Sequence, residues 1–270
     1  MKHRKTKRYI LFILFGFVVF LSPFKCLAQD NYEIQVYESK LVPVGSTMVE
    51  LHSNYTLQGL HDTIQGVLPT HHALHETVEI THGFTPWMEV GFYQFTTRND
   101  GMAPAYVGNH IRPRFAVPEK LNWPVGLSLS LEFGYQDPRY SSDSWTLEIR
   151  PIIDKTWGKL YVSFNPAVDY SFAGYNHAAG AIFAPNLKFS WAFSKKVQVG
   201  LEYYNSMGPF NSFDELNHQP HQLALAFDLD LSPVWEINIG YVRGLTPYVE
   251  EDIIKLILGR RFDRKKRPSE

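Results

Sequence analysis

Residues 222–242 read QLALAFDLDLSPVWEINIGYV. Leu223, Leu225, Phe227, Leu229 and Leu231 alternate with Gln222, Ala224, Ala226, Asp228 and Asp230. After Ser232-Pro233 the alternation resumes through Trp235, Ile237, Ile239 and Tyr241. A two-residue period gives a strand one apolar and one polar face, and Ser-Pro joins two such strands by a tight turn. Such a hairpin fits a soluble β-protein with Leu and Trp in its core. It fits equally a barrel in lipid, with Asp228, Asp230 and Glu236 facing a wet interior. The rest of the chain weighs the two.

The N-terminus comes first. Lys2, Arg4, Lys5, Lys7 and Arg8 precede an apolar run over 9–21, followed by Pro23 and a small-residue site ending at Ala28. This layout predicts an export signal peptide over 1–28, with a run too short for a spanning helix of about 20 residues. Cys26, the only cysteine, falls inside it, so the processed chain has neither disulfide nor thiol chemistry. The same 28 residues carry six Lys and Arg and no acid, leaving 20 basic against 27 acidic residues after processing. That acidity argues against nucleic acid as a partner.

Counting alternating segments bounded by turn residues predicts about twelve strands, near 46–57, 73–82, 86–97, 105–116, 125–136, 144–154, 158–171, 180–192, 195–206, 221–231, 234–244 and 251–262. Residues 29–45 form a lead segment, either a plug or a short strand. Spanning strands need about 9–11 residues, whereas strands of soluble proteins centre near about 5–6. The connections alternate between short and long, as in bacterial barrels with periplasmic turns and outer loops. The fold expected is an all-β, antiparallel up-and-down transmembrane barrel over 46–262, with a basic tail over 263–270.

Trp87, Trp123, Trp157, Trp191 and Trp235 sit at the short turns, and Trp145 at the opposite end. Tyr135, Tyr170, Phe172, Tyr203, Tyr204 and Tyr241 fall near the long-loop ends. Two aromatic belts flanking an aliphatic band suit a barrel in lipid. The polar parity carries Glu50, His52, Glu89, His110, Arg112, Arg114, Glu132, Glu148, Arg150, Asp169, Lys188, Glu202, Asp228, Asp230 and Glu236, the predicted lumen lining. Charge is costly in lipid, so these rows are placed inside. Pro113, Pro151, Pro166 and Pro185 fall on the outward parity, where each predicts a bulge or a local break.

The final strand, IIKLILGRRF over 253–262, ends on Phe262 like the signal that outer-membrane barrels present to their assembly machinery, except that eight residues follow it. MVELHSNYTL, HETVEITHGFTPWMEVGFY, GNHIRPRF, WPVGLSLSLEFGYQ, LEYYNSMGP and LALAFDLDLSPVWEINIGY together resemble a family of Gram-negative outer-membrane β-barrel proteins, loosely similar to porin-like channel barrels. The resemblance implies fold and compartment, the bacterial outer membrane with its lipid. It carries no catalytic or substrate residues.

The lumen charges point to a channel or transporter for small polar or ionic solutes. The alternatives are a closed structural or adhesive barrel braced by the same charges, and a lipid-modifying enzyme. No cofactor is expected. The densest histidine patch, HHALHET over 71–77, matches no known metal spacing, so no metal site is assigned. Ser128, Ser130, His52 and His110 share the inward parity, and the outward His82 and His221 have no Ser partner in register, so no catalytic residue is assigned.

Overall fold

The computed structural model describes residues 31–263; the predicted signal peptide and all but the first residue of the basic tail lie outside them. Alternation of apolar and polar residues over nine or more positions yields the long strands β1 (Thr47–Gln58), β2 (Leu74–Thr85), β3 (Met88–Arg98), β4 (Ala105–Ala116), β5 (Gly126–Gln136), β6 (Asp143–Trp157) and β7 (Leu160–Gly174). Next come β8 (Ile182–Ala192), β9 (Val197–Asn205), β11 (His221–Leu229), β12 (Trp235–Gly244) and β13 (Asp252–Phe262). A two-residue piece, β10 (Gly208–Pro209), pairs with the start of β8 in a loop. The twelve long strands agree with the sequence segments, differing by three residues at most, as at Thr85, Trp157 and Gly174.

Sequence neighbours pair antiparallel, and β1 pairs with β13 from Thr47↔Phe262 to Gln58↔Asp252, closing the sheet into a barrel without a free edge. Among the described residues no helix is long and apolar enough to cross a membrane. Ile80, Phe92, Ile111, Phe133, Leu201, Leu225, Ile239 and Ile254 are exposed on the outer wall. The five short-turn tryptophans and Trp145 are exposed with them, so the belts lie outside. Tyr204 does not belong to its belt: it is fully buried and donates its hydroxyl to Glu202 at 2.6 Å. Successive strand residues point to opposite faces, so Tyr203 and Tyr204 cannot both face outward.

Three of the four prolines accompany breaks rather than bulges, while Pro185 pairs with Pro166 in an unbroken β7–β8 ladder. The β4–β5 ladder is interrupted between Ile111↔Phe133 and Arg114↔Ser130, beside Pro113, and resumes in the same register. The β6–β7 ladder does likewise between Ile149↔Val168 and Ile153↔Phe164, a gap holding Pro151 and Pro166. A residue without an N–H removes a rung without inserting a residue. Inside, Gly134 makes room for a large neighbour: a Cβ there would come within 2.2 Å of the His110 ring.

The lead segment is no strand. Tyr32, Glu33, Ile34, Val36 and Tyr37 are all buried, which alternation on a two-faced strand does not produce. It runs through the barrel. At the long-loop end Asn31 donates to Glu250 at 2.7 Å, and the Tyr32 carbonyl accepts from Thr77 of β2. Midway, Asn165 of β7 accepts the Tyr37 N–H at 2.7 Å. Near the short-turn end Ser39 donates N–H and hydroxyl to Asp154 of β6, and Val42 donates to Glu89 of β3. Ile34 and Val36 pack with Tyr204, Ala224, Val242 and Ile253 on the opposite wall.

Candidate functional site

The inward rows carry the charge, and cross-strand register decides what each charge meets. On β3 and β4, Glu89 stands opposite Arg114. Arg114 donates Nε to Glu89 at 2.7 Å, and its Nη atoms reach the carbonyls of Glu38 and Lys40 at 2.9 Å each. Arg112 donates Nη2 to Glu79 at 2.6 Å and lies over the rings of Tyr37 and Tyr93, at 5.0 and 5.3 Å. His52 lies 3.4 Å from the second Glu79 oxygen. These are buried, charge-assisted contacts of the kind that lock a wall in place.

A second network sits across the barrel. Lys188 of β8 is opposite Glu202 of β9, 3.1 Å away, and reaches Asp228 of β11 at 2.8 Å. Lys255 of β13 also donates to Glu202, and to the Ile34 carbonyl at 3.1 Å. Asn238 completes Asp228 at 2.6 Å. The third group lies toward the long loops: His110 is 2.7 Å from Glu132, and Arg150 pairs with Glu148 and lies 4.6 Å over Tyr37.

Of the remaining sequence-predicted residues, Glu50 is buried, and Asp169 and Glu236 are half-buried. Asp230 is exposed, just beyond the end of β11, and lies at the rim of the short-turn end. The lead segment divides the interior in two. Toward the long loops lies a cavity of about 240 Å³, lined by Glu33, Glu132, Glu148, Arg150 and Asp169. Toward the short turns lies one of about 950 Å³, lined by Glu50, Arg112, Arg114, Lys188, Glu202 and Glu236. The two share no lining residue.

Sequence reasoning missed Glu33, Tyr37 and Glu38, which bring side chains and carbonyls to the centre of the barrel. The signal available was NYEIQVY, whose alternation reads as a strand, but nothing in it says that both faces are enclosed. It also missed Asp154, the anchor of Ser39. Both outward histidines have hydroxyl partners, His82 with Thr47 at 2.9 Å and His221 with Tyr203 at 2.5 Å. Neither ring carries a carboxylate partner among the described residues, so the constellation of an activated nucleophile is not assembled there. No group of three described His, Cys, Asp or Glu residues is placed to hold a metal ion.

No protein-family model matches the chain, nor does any curated protein sequence. Solved structures do. The COG4313 outer membrane channel from Pseudomonas putida F1 superposes with a TM-score of 0.58 at 11% identity, covering 85% of this chain and all of that one. The chain has the fold of outer-membrane channel barrels. The NanC porin matches with a TM-score of 0.54 at 9% identity, covering 80% of this chain and 99% of that one. The KdgM porin bound to disordered oligogalacturonate gives 0.51 at 8% identity, with the same coverage. At such identities the likeness carries the architecture alone.

Proposed function

We propose that this protein is an outer-membrane channel for small polar or ionic solutes, with the path running through its charged interior past residues 31–46. The observation that carries the reading is the separation of surfaces: exposed Leu, Ile, Phe and Trp outside, paired charge and two cavities inside. The solved structures of like fold are channels and porins, which supports a channel role in the same membrane. In that setting the long loops face the medium, the short turns face the periplasm, and the strand ending at Phe262 serves as the signal to the assembly machinery. An export signal over 1–28 fits this placement.

Purified full chain in a planar bilayer is expected to give discrete conductance steps, with a reversal potential in a salt gradient that favours cations. Silence from protein that shows the folded, unboiled band shift on gels would overturn the reading. A second reading has its own support: the lead segment separates the two cavities and hydrogen-bonds to walls all round the barrel, as a closed structural barrel would require. That reading predicts no current under any condition.

A further inference from the structure

Glu132, Glu148 and Asp169 lie on three successive strands as direct cross-strand partners, Glu132 opposite Glu148 and Glu148 opposite Asp169. All three line the long-loop cavity, and Glu33 of the lead segment joins them there. Like charges directly opposite each other in a sheet repel. Elsewhere in this barrel register sets opposite charges face to face at Glu89 with Arg114 and at Lys188 with Glu202, and where Glu50 faces Glu79 the nearby Arg112 pairs with Glu79. Among the described residues Arg150 is the only Lys or Arg lining this cavity, where it engages Glu148 and the Tyr37 ring, and His110 on the same wall lies 2.7 Å from Glu132.

A second observation concerns hydrogen bonding rather than charge. Oδ1 of Asn205, a residue 5% exposed, and the buried Oε1 of Glu148 find no donor among the described residues, and both residues line the cavity. A buried acceptor left without a donor is costly. Among the described residues the same wall holds an unpaired donor, Nε of Arg150, against the unpaired acceptors Asn31 Oδ1, Glu132 Oε2, Glu148 Oε1 and Asn205 Oδ1. Acceptors and negative charge predominate, so the complementary ligand supplies N–H donors and positive charge. Adjacent strands are about 4.7–4.9 Å apart, so the three carboxylates form a line roughly 10 Å long across β5, β6 and β7. A calcium-like ion needs about 6–8 oxygens converging within about 2.3–2.6 Å of one point, which a line does not provide. An elongated cation with an ammonium at each end does match it.

We propose that the Glu132–Glu148–Asp169 row, with Glu33 and Asn205, binds small aliphatic diamines arriving at the long-loop end. The proposal names a solute class for the channel reading and rests on that reading for the side of entry. The test is a calorimetric titration of the full chain, folded in detergent micelles at near-neutral pH in amine-free buffer, with 1,4-diaminobutane. Saturable binding is expected for the diamine, weaker binding for 1-aminobutane and none for butane-1,4-diol. Glu148→Gln combined with Asp169→Asn should weaken diamine binding about tenfold or more, while Glu119→Gln, exposed at the short-turn end, leaves it unchanged. The gel shift on heating reports whether each variant is folded. Absence of saturable binding, or binding indifferent to the double substitution in folded protein, overturns the site. Since no current is measured, protein that binds without conducting keeps the site and loses the channel reading. Protein that conducts without binding does the reverse.

Discussion

The two cavities on either side of the lead segment are made from the same alternation, yet they differ in how charge is matched. At the short-turn end, Arg112, Arg114 and Lys188 meet Glu79, Glu89, Glu202 and Asp228 within 3.1 Å. At the long-loop end three carboxylates face one another in register with one arginine among them. Binary pattern places both sets inside. Register and the supply of bases decide together which becomes a brace and which an acidic row: Glu50 faces Glu79 across β1 and β2, yet Arg112 of β4 compensates Glu79. The brace serves stability, and the acidic row is the proposed diamine site.

That contrast predicts opposite responses to charge removal. Arg112→Met deletes the cation paired with Glu79, leaving that buried carboxylate without a guanidinium partner while Glu89 keeps Arg114. Breaking such a pair costs about 3–5 kcal/mol, to be read from urea unfolding in phospholipid vesicles. Asp169→Asn removes one member of the acidic row and relieves repulsion, so it should be neutral or stabilising in the same assay. Equal destabilisation by both would erase the distinction between the two ends. The sharpest contrast in stability should come from this pair.

A smaller effect is expected in the loop over the acidic row. The His71 ring stacks on His72 and lies tilted against His61, with centroids 3.9 Å apart in each pair. Partial burial, then the neighbouring His61 and His72, hold His71 below the usual histidine value. A base whose folded value is depressed favours the loop while neutral. The ordering is therefore full above about pH 6.5, the free histidine value, and is lost as pH falls below it. Proteolysis of the 59–73 loop should accelerate on acidification through that range while the barrel band on gels stays intact; a rate independent of pH would show that the stack contributes nothing.

How much of this was legible in the sequence follows from what alternation can encode. Strand number, closure and the sorting of Trp87, Trp157 and Trp235 to one end follow from local periodicity and turn chemistry. Tyr204 departs from the belt because adjacent strand residues face opposite ways, so nearness to a strand end does not place a ring outside; parity does. The pairing of Lys255 with Glu202 links β13 to β9 across the interior, a relation that no local pattern states. The lead segment was harder still. Its apolar residues alternate as on a strand, and only the surrounding walls, from Asn165 to Lys255, show that it threads the barrel. The proline positions were visible, but their effect depended on whether the missing N–H fell on a paired edge, as at Pro113.

The proposed path runs along the interior past that segment, which separates the two cavities, so solute passes only when the segment moves from its wall contacts. Ser39 donates to Asp154 at 2.9 Å, near the short-turn end, and residues 29–270 contain no cysteine to interfere. Ser39→Cys with Asp154→Cys, recorded in a planar bilayer, tests the path directly. With the tether oxidised, conductance steps should vanish, and reduction in the chamber should restore them. Current that persists unchanged with the segment covalently held to β6 would contradict a path gated by residues 31–46.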